Sequence, residues 1–174
     1  MRSPEESTLP RAMLDLPHIR PLLAYIEEVK ASIKAETGQT VDLPLFDPCD
    51  GGVNARVLFL LQSPGPKSSS HGSGRGGSGF ISRNNDDPTA QHMTELMHLS
   101  GIPRSETLLW NTVPWYLGDD KKDAPITPAD FDLAMRYLPR LLGLLPRLEI
   151  VVLVGKDAWQ AAPYIGQVGP WPQV

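Results

Sequence analysis

Arg56-Val57-Leu58-Phe59-Leu60-Leu61-Gln62-Ser63-Pro64-Gly65-Pro66 is the stretch that decides the fold. Its first half is a short, continuous apolar run. That pattern predicts a strand buried on both faces, as in a parallel sheet. Its second half leaves the run abruptly at Pro64-Gly65-Pro66. Ligands of open parallel sheets bind beyond the carboxyl ends of the strands, so the loop after Leu61 is the first place to look for function.

Two further runs have the same character. Thr107-Leu108-Leu109-Trp110 is one; Glu149-Ile150-Val151-Val152-Leu153-Val154 is the other and has the strongest β pattern in the chain. Helical signals alternate with these strands. Leu22, Leu23, Ile26, Val29 and Ile33 recur at helical spacing and predict a helix from about Arg20 to Glu36, stopped by Gly38. Asp87-Pro88-Thr89 is a cap followed by a first-turn proline, with Met93, Leu96 and Met97 as the expected buried face and Gly101 as the stop. Thr127-Pro128 opens another helix, with Phe131, Met135 and Leu138 inward and Pro139 ending or kinking it. A last short helix is expected after Gly155, through Ala158, Ala161 and Ala162. Residues 39–54 carry Asp-Pro, Asp-Gly and Gly-Gly steps and read as a loop. Strand alternating with helix predicts an α/β fold, three layers in the order α/β/α, with a short parallel central sheet. Residues 1–18 are expected to be a flexible arm and 19–174 one domain.

Composition narrows the function. The chain has 174 residues, 16 Lys+Arg and 20 Asp+Glu, for a net charge of −4. That excludes a generally basic nucleic-acid coat protein, while leaving room for a basic patch. Cys49 is the one cysteine. It excludes an internal disulfide, a cysteine-based zinc finger and a four-cysteine iron–sulfur site within one chain. A reducing, cytoplasmic setting is the expectation. No run approaches the roughly 18 apolar residues of a membrane span, and the start lacks a signal core. His18, His71, His92 and His98 have no metal-ligand spacing, so neither metal nor cofactor is expected.

The candidate chemistry clusters after the strands. Gln62, Ser63, Pro64 and Gly65 form the first loop, which presents backbone N–H groups and two short polar side chains, or is a plain turn. From Gln62 to Asn85 the chain carries Lys67, Arg75 and Arg83 and no acid. Such a basic loop suits a phosphate backbone, although incidental charge on a surface insertion would look the same. Phe80 either stacks on a base or anchors its loop to the core. Asn85 and Asp86 follow it; Asp86 is either a solvent-facing residue near a helix start or a general base. Asn111 ends the second strand, and its amide can pair with an imide edge such as uracil O4 and N3–H.

The order of these pieces resembles the uracil-DNA glycosylase superfamily. The matching segments are Val57–Pro66, Gly79–Asp87, Leu109–Trp115 and Ile150–Ala158, and the resemblance runs from about Phe46 to Val174. It implies that Gln62-Ser63-Pro64-Gly65 is the motif holding the water-activating or transition-state-stabilising residue. It further implies that Phe80 stacks on uracil and that Asn111 reads its edge. The implied reaction is hydrolysis of the N-glycosidic bond of a flipped-out deaminated base in DNA, by a monomer, with no cofactor. Three departures stand out. Ser63 occupies a position where several branches place Asp or Asn, so Asn85 or Asp86 would have to compensate. The iron–sulfur branches need four cysteines. The last family strand and its His-Pro-Ser-Pro-like motif are missing, so the domain is expected to be C-terminally incomplete, with an exposed sheet edge. A glycosylase and a non-catalytic base-binding module therefore both remain open, beside an unrelated small-molecule enzyme on the same kind of sheet.

Overall fold

The computed structural model describes residues 10–69, 77–118 and 124–166. Among the described residues five strands are formed: β1 (Leu45–Phe46), β2 (Val57–Leu61), β3 (Phe80–Ile81), β4 (Thr107–Asn111) and β5 (Ile150–Leu153). The central sheet is parallel, in the order β4–β2–β5. Register sets up the site. Val57 pairs with Thr107 and Ile150, and Leu61 pairs with Asn111, so β2 and β4 end side by side. β4 is buried throughout and β2 nearly so, which is why both read as unbroken apolar runs. β5 lies at the sheet edge and stays partly exposed, Ile150 most of all.

The helices around the sheet include α1 (Arg20–Thr37), α2 (Pro88–Ser100), α3 (Pro128–Met135), α4 (Leu138–Leu142) and α5 (Ala162–Ile165). The connection β2–α2–β4 steps one way across the sheet. The connection through α3 and α4 steps back past β2 to β5. Right-handed crossovers running in opposite directions put their helices on opposite faces, which produces the three layers.

Local chemistry explains the helix ends. Gly38 takes a left-handed φ of 74° and returns its N–H to Lys34. The Asp87 side chain accepts from the Ala90 N–H and Pro88 opens the first turn of α2. Thr127 and Asp130 form a reciprocal capping box on α3. Pro139 does interrupt the next stretch: α3 stops at Met135 and α4 restarts at Leu138. The apolar face of α1 packs Tyr25 against Trp110 with ring centroids 6.4 Å apart, and Phe46 stacks on Trp110 at 3.7 Å.

Three expectations need correcting. Leu96 is not part of the buried face of α2; it is 56% exposed. Ala90, Met93 and Met97 make the inward stripe, and at 3.6 residues per turn Leu96 points about 90° away from it. Residues 39–54 are not wholly loop, because β1 pairs in parallel with β3 as a second, two-stranded sheet. Strands of two residues carry no readable period. The described part of the arm, residues 10–18, is docked on the domain: His18 accepts from the Val53 N–H, its ring nitrogen meets the Pro48 carbonyl, and Ile19 is fully buried. Among the described residues no helix is long and apolar enough to cross a membrane.

Candidate functional site

A cavity of about 360 Å³ opens where β2 and β4 end. That is the size range of small-ligand sites. One wall is the chain from Leu61 to Ser68. The others come from Ile81, Ser82 and Asn85, from the start of α2 through Met93, and from Leu109 and Asn111 of β4, with Ala124 completing it.

The first wall is a closed loop. Ser68 and Ser69 both donate their N–H to the Gly65 carbonyl, Gly77 donates to Ser69, and Ser78 donates to Lys67. A Cβ on Gly77 would lie within 2.6 Å of three backbone oxygens, those of Pro66, Lys67 and Ser69. Only glycine lets the returning chain pass this close. The exit of β4 is stitched to the same wall: Thr112 donates through its N–H and its hydroxyl to the Leu61 carbonyl, and Val113 donates to Gln62. Asn111 is thereby held beside the loop. Gln62 also borders a second cavity, of about 460 Å³, with Tyr164, Asp157 and Gln160.

Gln62, Ser63, Pro64, Gly65, Lys67, Asn85 and Asn111 all line the first cavity. Asn85 and Asn111 are buried, and the Oδ1 of each has no hydrogen-bond partner among the described residues. Native structures rarely leave such atoms unpaired, and a pocket awaiting a ligand is one reason they do. Asn85 donates its Nδ2 to the Ser68 hydroxyl at 3.1 Å and to the Phe80 carbonyl at 3.0 Å.

Three candidates fall elsewhere. Phe80 does not line the cavity. Successive side chains of a strand alternate, so Ile81 faces the cavity while Phe80 is fully buried on the other side, its ring 5.4 Å from the Arg11 guanidinium. Its role is that of an anchor. Arg83 does not reach outward to a phosphate. Its side chain is 6% exposed, pairs with Asp50 at 3.3 Å and donates to the Thr107 hydroxyl. Asp86 is exposed and is not among the residues that line the cavity. Asp87 takes its place at the cavity, although its carboxylate is engaged as the cap of α2. Arg75 lies outside the described residues.

Behind the Ser82–Asn85 wall lies a buried ionic network that the sequence reading passed over. Arg104 donates to Asp47 at 2.6 Å, to Asp50 at 2.8 Å and to the Asn84 side chain at 3.0 Å. Asp47 also accepts from the Ser82 hydroxyl and from the Cys49 N–H. Both carboxylates are fully buried at their side chains. Burial pushes the Asp50 carboxyl up to about 6, against the opposing pull of Arg83 and Arg104. Burial lowers Arg83; it also works against the charge of Arg104, but Asp50 and Asp47 outweigh it and raise that group. The only sequence signals were the Asp47-Pro48 and Asp50-Gly51 steps, which read equally well as turns.

Among the described residues no three His, Cys, Asp or Glu side chains are grouped to hold a metal. The cavity instead offers amide oxygens, serine hydroxyls and one cation at Lys67, an outfit for a neutral heterocycle attached to an anionic chain. The family model of the uracil DNA glycosylase superfamily matches residues 48–172. The chain therefore belongs to the uracil DNA glycosylase superfamily. No curated protein matches the chain.

Proposed function

We propose that the cavity receives a deaminated base flipped out of DNA and that the chain hydrolyses its N-glycosidic bond. The observation that carries this reading is the pair of buried amide oxygens, unpartnered among the described residues, of Asn85 in the turn before α2 and Asn111 at the end of β4. Membership of the superfamily supplies DNA as the partner. The bond between the sugar C1′ and the base nitrogen breaks with its electron pair going to the base. The sugar becomes oxocarbenium-like, and a water oxygen bonds to C1′. The water gives up its proton to solvent or to the departing base. Donors around the cavity stabilise the leaving anion in the manner of an oxyanion hole. Ser63 orients water; a hydroxyl takes no proton at neutral pH, so bond breaking runs ahead of attack. Lys67 meets the phosphate backbone at the rim.

One observation favours a second reading, a base-binding module without catalysis. The carboxylate at the described cavity belongs to Asp87, and it is occupied in capping α2. A cleavage assay separates the two. Oligonucleotides carrying one deoxyuridine, single- or double-stranded, are incubated with the chain and treated with alkali. Cleavage above a thymine control supports the glycosylase; tight binding without cleavage supports the module; neither, in a folded sample, refutes both.

A further inference from the structure

Phe46 pairs with Ile81 in the short β1–β3 ladder, so Asp47 and Ser82 leave the two strands side by side. The Ser82 hydroxyl donates to one oxygen of Asp47, and Arg104 donates to the same oxygen at 2.6 Å. The other oxygen accepts from the Cys49 N–H at 2.9 Å. Both oxygens of Asp47 therefore act as acceptors, which a carboxylate can do and an amide cannot. Asp47 is fully buried and does not line the cavity, whereas Ser82 does.

The turn after β3 hangs on that serine. The Asn84 N–H donates to the Ser82 hydroxyl at 3.0 Å, and the Asn85 N–H donates to the Ser82 carbonyl at 3.2 Å. Arg104, which holds Asp47, also donates to the Asn84 side chain at 3.0 Å. The Ser82 oxygen thus takes the peptide two residues on while its proton goes to Asp47. Without the Asp47 acceptor, the hydroxyl would lose its partner at a residue nearly closed to water. Rotating to find another would break the bond to Asn84 and release the wall.

We propose that Asp47 is a positioning residue: acting through the Ser82 hydroxyl, it fixes the wall formed by the Ser82–Asn85 turn, and with it the cavity's grip on a base. This rests on the base-pocket reading above and adds a residue outside the pocket on which base recognition depends. Two oligonucleotides provide the test. One carries a single 2′-fluorodeoxyuridine, whose fluorine keeps the glycosidic bond intact; the other carries a tetrahydrofuran abasic analogue at the same position. Binding to the full chain is read by fluorescence anisotropy at one salt concentration, well below the unfolding temperature. The ratio of the two affinities is the base preference.

The wild-type chain is expected to prefer the uracil oligonucleotide at least about 10-fold. Asp47→Asn is expected to lower that preference about 5- to 10-fold, the scale of one buried hydrogen bond left unmade. Ser82→Ala should lower it too, and the double variant should lose no more than the larger single loss, because both changes cut the same bond. Ile33→Ala lies in the buried face of α1, away from the cavity. It should lower stability yet keep the preference within about 2-fold of wild type, which separates positioning from loss of stability. An Asp47→Asn protein that is less stable but keeps its preference overturns this inference alone. So does an additive double variant, or an equal loss of preference in Ile33→Ala. If Asp47→Asn fails to fold, Arg104→Lys replaces it, keeping the charge while breaking the guanidinium fork on Asp47 and Asn84; an unchanged preference there overturns the proposal. Wild-type binding that ignores the base altogether overturns the pocket reading, and this inference with it.

Discussion

Replacing Arg104 by Ala should destabilise the fold and loosen one wall of the cavity together. Arg104 is 29% exposed at its side chain, whereas the two carboxylates it joins, Asp47 and Asp50, are fully buried. Removing one partner of a buried ion pair costs about 3–5 kcal/mol, because the remaining charge is left without compensation. Here Asp50 keeps Arg83 at 3.3 Å, and Asp47 keeps the Ser82 hydroxyl and the Cys49 N–H. Those remaining partners place the loss near the lower end, about 3 kcal/mol. For a chain of this length that is a fall in Tm of about 6–12 °C. Urea unfolding should show a lower midpoint with an unchanged slope. Arg104→Lys should recover part of the loss, since one ammonium cannot span Asp47, Asp50 and Asn84 as the guanidinium fork does. A loss under about 1 kcal/mol for Arg104→Ala would refute the reasoning, because that is the scale of an exposed, screened pair.

The raised carboxyl of Asp50 makes a pH prediction. Its unfolded value is about 3.9 and its folded value about 6. Between the two the folded state holds more protons, so its contribution to stability is greatest below about pH 4 and declines by about 3 kcal/mol as pH rises through 6. The stability difference between wild type and Asp50→Asn should therefore change across that window, and a difference independent of pH would sink the idea. Phe80→Ala should cost about 3–5 kcal/mol, as a fully buried ring does. If Phe80 instead presented its face to a base, unchanged stability with weaker base binding would be seen. Lys67→Ala should weaken DNA binding for every base alike and lower the salt-dependence slope by about one; an unchanged slope would remove Lys67 from the backbone contact.

Sequence legibility followed periodicity. β2 and β4 are apolar runs because parallel strands bury both faces, and the caps Asp87 and Thr127 announce their helices by hydrogen-bonding chemistry that acts within four residues. The first loop and Asn111 were placed at strand ends by the same logic. The inward turn of Arg83 was not legible. Its partner Asp50 is 33 residues away in sequence, and charge on a Gly-rich flank reads as surface until the partner is known. The side of β3 taken by Phe80 was hidden for a related reason. Two residues have no alternation to read, so parity had to come from the pairing with Leu45–Phe46. Leu96 looked inward because Met93, Leu96 and Met97 fit a helical face; which of two adjacent faces is covered depends on tertiary packing.

The docked segment before α1 bears on how shorter versions of the protein should be made. A chain trimmed to begin at Arg20 would lose the Arg11 guanidinium over the Phe80 ring, its hydrogen bond to the Ser78 carbonyl, and the His18 carbonyl that receives the Val53 N–H. An aromatic face would be wetted, and the peptide that pins Asn85 would gain freedom on its far side. Such a protein would also lose the fully buried Ile19, so a trimmed product that failed to bind a base would report on the trimming and not on the full chain. Affinity tags and fusion joints belong ahead of Pro10.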